Sequence, residues 1–296
     1  MNPNAKDARR EVAVGNGAAT LDDRPIGRIL VDMGKLRPRD VDRVFHLHRE
    51  KGLRFGEAAR KLRLVKDADV QYALSLQFSY PYLRPGQGAI GPELVTAHAP
   101  GDPQSEILRD LRTQLLLHWV NPDHKVLVVT SPDPRDGRSY LSANLAVVFA
   151  QLGEKTLLID GDLRHPRQHR IFGLTNGAGL AQVLSGRAGH DAAAQVPYFE
   201  NLHLLPAGAA PPNPLELLSR SELPRLLSDY RKRFNVIVVD TPAAARGSDA
   251  RVVAARADGA LILARTDRTR NAALEGLAGA ITASGTPVIG TVLNPA

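Results

Sequence analysis

The chain has 296 residues, 43% of them apolar and 5% aromatic, which allows one large domain plus a smaller one and excludes disorder throughout. It contains no cysteine, so it has neither a disulfide framework nor a thiol nucleophile, and this fits a reducing, cytoplasmic setting. The formal net charge of +7 is uneven, with 17 Lys+Arg against 12 Asp+Glu in residues 1–100 and 21 against 19 beyond; the signs alternate with few aromatics between them, which argues against nucleic acid as a partner.

Residues 1–22 are polar and small and read as a flexible tail. They lack the apolar core of a signal peptide, and no later stretch approaches the roughly 20 apolar residues that cross a bilayer. Direct membrane insertion is therefore not expected, and work at a membrane would need a partner. Residues 23–80 carry an internal repeat. A shift of 29 superposes Ile26-Gly27 on Phe55-Gly56, Met33 on Leu62, Leu36 on Val65 and Asp40-Val41 on Asp69-Val70. Apolar residues recur at i, i+3, i+4 and i+7 in each copy, with an Asp before the second run, so each copy reads as a helix pair. Between 81 and 103, nine of 23 residues are Pro or Gly, a composition that marks a linker.

From 104 to 296, short apolar strands near 125, 156, 202, 235, 260 and 288 alternate with helical patterns, as in a mostly parallel, doubly wound α/β sheet. One such helix is expected from Arg138 to Leu152, ended by Gly153. Three strands run into polar chemistry. The first leads into Ser131-Pro-Asp-Pro-Arg-Asp-Gly137-Arg138-Ser139. The second ends Asp160-Gly-Asp162-Leu-Arg164, and the third ends Asp240-Thr241-Pro242. Ligands of open α/β sheets gather at strand C-termini. A phosphate loop needs glycine where backbone approaches oxygen, then a cation, then a hydroxyl for magnesium at a helix start, and Gly137, Arg138 and Ser139 supply these in order. The loop departs from G-x-x-x-x-G-K-[S/T] in having Pro132 for the first glycine and Arg138 for lysine. Asp160, Asp162 and Asp240 are carboxylates suited to holding magnesium or accepting a proton.

On these motifs, residues 100–296 resemble the bacterial tyrosine kinases of polysaccharide chain-length control, most closely their EpsG type. Asp160, Asp162 and Arg164 match the family's second Walker-like motif. Ile237 to Pro242 match its Walker B motif, with Ala243 where a second proline is usual. Glu106, Arg109 and Arg112 match the Glu-x-x-Arg-x-x-Arg helix by which members contact neighbouring subunits. Asn294 falls near the position where relatives hold adenine, and Gly208 with Pro212 to Leu218 also fits. The resemblance implies a P-loop NTPase fold binding ATP and Mg2+ through Asp136, Gly137, Arg138, Ser139, Tyr140 and Asn294. It implies metal held by Ser139, Asp160 and Asp240, and catalysis by Asp160, Asp162, Arg164 and Arg138. It further implies a homo-oligomer working with a membrane chain-length determinant. Family kinases usually carry a C-terminal tyrosine cluster; here the last tyrosine is Tyr230, so self-phosphorylation in a tail is not expected, and Tyr80, Tyr82 and Tyr140 are alternative acceptors.

The repeat has a resemblance of its own. Its 24-residue copies, 25–48 and 54–77, are similar to the N-terminal module of type II secretion and pilus ATPases, which binds cyclic di-GMP. Arg54, Gly56 and Gln77 match that pattern in the second copy and Gly27 in the first, where Pro25 and His48 replace Arg and Gln. The residues also fit two other functions: a catalytically weak nucleotide-binding scaffold of a polysaccharide synthesis complex, and a positioning ATPase of the partitioning type. The latter places a lysine where this chain has Asp133.

Overall fold

The repeated segments fold as two helix pairs in a computed structural model that describes residues 25–77, 82–83 and 88–295. The tail read at 1–22 and the acceptor candidate Tyr80 lie outside the described residues. Helices α1 (Ile26–Asp32) and α2 (Val41–Lys51) form the first copy, α3 (Phe55–Lys61) and α4 (Asp67–Gln77) the second. The copies share hydrogen bonds as well as sequence. Lys35 N donates to Leu30 O and Gly34 N to Val31 O; 29 residues on, Leu64 N donates to Ala59 O and Arg63 N to Arg60 O. These pairs close the same Schellman turn twice, which requires a left-handed residue just past each helix. Gly34 supplies it at φ 66° and Arg63 at φ 56°.

Ile29, Leu30, Leu36, Val44, Ala58, Ala59 and Ala73 form a core for this unit. Gly27 and Gly56 let the helices approach: a Cβ would stand 2.9 Å from the Phe55 ring at Gly27 and 2.6 Å from Val70 at Gly56. The Asp expected to cap each second helix behaves differently in the two copies. Asp40 closes a 3-10 turn, Pro38–Asp40, without a side-chain cap bond, whereas Asp69 lies inside the first turn of α4 and accepts from Lys66 N at 3.1 Å.

The proline- and glycine-rich stretch is packed where it is described. Leu83, Leu94 and Ala97 join the core beside the sheet, and the short helix α5 (Val95–His98) is held there by Thr96, whose N and Oγ1 donate to the buried Asn144 Oδ1 at 3.1 and 2.9 Å. Helix α6 (Pro103–His118) follows, its start capped by the Asp102 carboxylate, which accepts from Gln104 N.

The sheet comprises β1 (Val126–Thr130), β2 (Thr156–Asp160), β3 (Ala194–Gln195), β4 (Leu202–Leu205), β5 (Val236–Asp240), β6 (Gly259–Arg265) and β7 (Val288–Asn294). Among the described residues its order is β3-β4-β2-β5-β1-β6-β7, parallel throughout except between β3 and β4. Strands β1, β2 and β5 are buried at every position because helices cover both faces, which is why they read as continuous apolar runs. One face carries α7 (Arg138–Gln151), which Leu152 and Gly153 end as expected. Helices α8 (Gln168–Ile171), α9 (Leu180–Leu184), α10 (Pro214–Leu218), α11 (Glu222–Arg233), α12 (Asp249–Ala254) and α13 (Asn271–Ala283) complete the layers. No helix among the described residues is long and apolar enough to cross a membrane.

Candidate active site

Strand order alone brings the motifs together. β5 lies between β2 and β1, with Asp160 in register with Asp240 and Asp240 in register with Val129, so two acids and the loop after β1 share one end of the sheet. Gly161 makes the Asp-Gly-Asp step possible. Its N donates to Asp240 O at 2.8 Å, and a Cβ there would sit 2.7 Å from the same oxygen.

Asp160 and Asp240 are fully buried. Asp160 Oδ2 accepts from Arg167 N and Gln168 N, both at 3.0 Å, and Asp240 Oδ2 accepts from Gln168 Nε2 at 2.8 Å. The Oδ1 oxygen of each is buried with no hydrogen bond of normal geometry. Burial pushes the Asp160 carboxyl well up, and the neighbouring Asp240 charge adds to it. Burial likewise raises Asp240 to about 6, opposed by Gln168 and the Ser139 hydroxyl. The two free carboxylate oxygens, with the Ser139 hydroxyl beside Asp240, are hard oxygen donors of the kind that could hold a magnesium ion. Among the described residues no group of three or more His, Cys, Asp or Glu is placed to hold a metal ion by itself.

Asp162 is buried in the turn after β2. Its Oδ1 accepts from His165 N at 2.9 Å and Arg164 N at 3.2 Å, which fixes the turn after β2. Arg164 points to Asp249 at the start of α12, with Nε to Oδ2 at 2.6 Å and Nη2 to Oδ1 at 3.3 Å. This two-pronged pair, with Asp249 buried, anchors the β2 turn to the helix after β5.

Arg138 lies folded inside the loop. Nε donates to Thr241 O at 3.0 Å, and Nη1 donates to Asp133 O at 2.8 Å and Ser131 Oγ at 2.5 Å. Burial lowers its affinity for its proton, and Asp240, Asp162 and Asp136 oppose that shift. Arg135 is exposed on the outside of the loop, so it does not fill the interior. Asp136 Oδ2 accepts from Asp133 N, and Asp136 O accepts from Asn294 Nδ2 at 2.8 Å, tying the loop to the end of β7. Gly137 passes beneath that amide at φ 105°, where a Cβ would stand 2.7 Å from Asn294 Nδ2. Beside it Tyr140, Gln104, Ile107, Leu263, Leu293 and Asn294 line an apolar slot of 120 Å³. The Tyr140 hydroxyl donates to Gln104 Oε1 at 2.9 Å across that slot, outside the phosphate loop itself.

The α6 triplet makes contacts within the chain. Arg109 donates to Pro100 O at 2.9 Å and to the Tyr82 hydroxyl at 2.7 Å, and pairs with Glu106; Arg112 reaches Val148 O on α7 at 3.0 Å. In the helical unit, Gly27 and Gly56 serve helix contacts, while Arg54 is exposed and its backbone N is held by Glu57. Sequence reasoning missed two residues. Gln168 joins three walls of the site, binding Asp160 through its N–H, Asp240 through its amide and Ser139 O through the same amide at 3.1 Å. Asp249 is the buried partner of Arg164. Each is a single polar residue outside any motif, so nothing in the pattern singled it out.

A parallel sheet with a glycine-bearing loop after its first strand and acids at the next two strand ends defines the P-loop nucleoside-triphosphatase fold. No family model matches the chain. It is 35% identical over 190 residues to CapB of Staphylococcus aureus, which bears a tyrosine-protein kinase name; the match spans 64% of this chain and 83% of that protein. It is 34% identical over 190 residues to the tyrosine-protein kinase YwqD of Bacillus subtilis (strain 168), covering 80% of it. The kinase domain of the Escherichia coli tyrosine kinase Etk superposes with a TM-score of 0.67 at 28% identity, over 72% of this chain and 83% of that domain. The chain belongs to the bacterial tyrosine-protein kinases.

Proposed function

We propose that this chain binds ATP and Mg2+ at the β1 loop and transfers the γ-phosphoryl group to a tyrosine hydroxyl, regulating exopolysaccharide chain length, polymerisation and export beside a membrane chain-length partner. The observation that carries the reading is the pair of buried Oδ1 oxygens, on Asp160 and Asp240, left without a hydrogen bond of normal geometry at adjacent strand ends, with the Ser139 hydroxyl beside Asp240. Those three residues would hold the magnesium ion, whose chemistry when bound is to neutralise the phosphates and orient the transferred group. Gly137 and the amides at the start of α7 face the phosphates, and Asn294 with Tyr140 borders the base.

Asp160 is tied down through Oδ2 and its Oδ1 is the oxygen assigned to the metal, which leaves Asp162, two residues on in the same turn, to take the proton from the attacking hydroxyl. The tyrosine oxygen then bonds to phosphorus as the bond to the β-phosphate oxygen breaks. Arg138 releases the loop carbonyls to face phosphate in that state, its guanidinium offering two donors where a lysine offers one point charge. Glu106, Arg109 and Arg112 are the proposed contacts between subunits of an oligomer. The division into a helical repeat unit at 23–80, a linker at 81–103 and a kinase unit at 104–296 belongs to the same reading.

Phosphotyrosine formation with purified protein, ATP, magnesium and the membrane partner tests it, with Asp240→Ala and Arg138→Ala alongside. Wild-type signal lost in both variants is expected; phosphotyrosine unchanged in Asp240→Ala would refute the site. The three hydrogen bonds of Arg138 favour one second reading, a nucleotide-binding scaffold whose arginine stays on the loop. ATP affinity without turnover, and polymer output insensitive to Asp160→Asn, would select it.

A further inference from the structure

The net positive charge is concentrated in the helical unit. Residues 25–77 hold 12 Lys+Arg against 7 Asp+Glu, a surplus of five out of the chain's +7. Part of it converges on one hollow of 740 Å³, where the turn after α1 meets its repeat equivalent after α3. Lys35 and Arg37 reach it from the first turn, Arg39 and Arg43 from the 3-10 turn and the α2 helix that follow, and Arg63 from the second turn, against Asp40 as the acid in the lining. Lys35 pairs with Asp69 at 3.4 Å and Arg43 with Asp40 at 3.0 Å. Arg37, Arg39 and Arg63 are exposed and have no ion pair among the described residues.

Arg63 occupies the left-handed position that its repeat equivalent fills with Gly34. A side chain is disfavoured there relative to glycine, and placing it among four like charges adds repulsion. A residue that opposes both local backbone preference and its electrostatic surroundings marks a functional site more often than a stabilising one. Arginine forks bind phosphate oxygens in pairs, and three unpaired guanidinium groups around one hollow suit an anion with several such oxygens.

We infer that the hollow between the two turns of the helical repeat binds a phosphate-bearing anion, supplied either by a soluble phosphate compound or by an anionic lipid headgroup. The site uses none of the residues of the nucleotide loop and none of Arg54, Gly56 and Gln77.

Titration of the full chain with inorganic pyrophosphate, followed by amide-resolved NMR, tests this. The amides of residues 34–40 and 63–64 are expected to shift, and their apparent affinity to fall by about tenfold or more in the Arg37→Ala/Arg63→Gly variant. Shifts of the loop at 131–139 report the nucleotide site separately and should persist in that variant. Arg63→Gly alone should weaken binding while raising the melting midpoint by about 2 °C, a combination that a purely structural arginine would not give. Co-sedimentation with phosphatidylglycerol vesicles and not phosphatidylcholine vesicles, lost in the double variant, identifies lipid as the source; pyrophosphate binding without vesicle binding identifies a soluble compound. Pyrophosphate that leaves residues 34–40 and 63–64 unshifted together with no phosphatidylglycerol binding, or equal binding by wild type and double variant, overturns the proposal.

Discussion

Asp240 is a carboxyl group that the fold holds at its own expense. Burial raises it to about 6 from an unfolded value near 3.8, so the native state binds a proton between those limits that the unfolded chain does not. The stability this group contributes is therefore fully present below about 3.8 and is lost as pH rises through about 6. Asparagine at the position keeps an oxygen for Gln168 Nε2 and carries no charge. Asp240→Asn is expected to stabilise the ligand-free protein at pH 8 by on the order of 2 kcal/mol, with the gain shrinking toward pH 4, while abolishing magnesium-dependent phosphotransfer. Melting curves at both pH values check it; a gain independent of pH would show that the fold does not raise the proton affinity of this group. Asp160, Asp162, Asp240 and Ser139 were legible in the sequence because strand ends announce themselves by an apolar run that stops. Their polar supports were not, since Gln168 and Asp249 reach the site only through the folded turns that follow β2 and β5.

The element that carries Gln168 is a single helical turn, α8, far too short to be stable alone. Its position depends on the bonds from Arg167 N and Gln168 N to Asp160 and from the Gln168 side chain to Asp240, and these same bonds set the two carboxylates. Replacing the amide with an isosteric apolar group leaves Asp240 without its donor and the two acids closer to mutual repulsion. Gln168→Leu is expected to lower kcat by about ten- to hundredfold with a smaller change in KM for ATP, the pattern of a residue that orients ligands without touching substrate. Equal loss in both parameters would instead mean that the site collapses. Elements differed in legibility for related reasons. The repeated helices were readable because a 3.6-residue period recurs at an interval of 29, and the strands because both faces are buried. Helix α5 was hidden by the prolines and glycines around it; buried tertiary bonds from Thr96 to Asn144 and from Gln151 to Thr96 hold it, and composition carries no trace of them. The two-residue strand β3 is too short to show a period.

At the scale of the molecule, the apolar residues of the repeat form a cluster separate from the two that flank the sheet. The repeat unit is small, and units of that size bury a smaller fraction of their surface than larger ones, so it should be the less stable. We therefore expect two calorimetric transitions, the lower from residues 25–77 and the upper from the sheet and its helices. Ligands stabilise only the cooperative unit that binds them. ATP with magnesium at a hundred times its dissociation constant contributes about 2.7 kcal/mol, enough to raise the upper transition by roughly 5 °C or more while leaving the lower one in place. Pyrophosphate should raise the lower transition through the arginine hollow, with that shift lost in Arg37→Ala/Arg63→Gly while any rise of the upper one, through the nucleotide loop, persists. A single transition displaced as a whole by either ligand would mean that the helical repeat and the sheet unfold together, and that the two charged sites are thermodynamically one system.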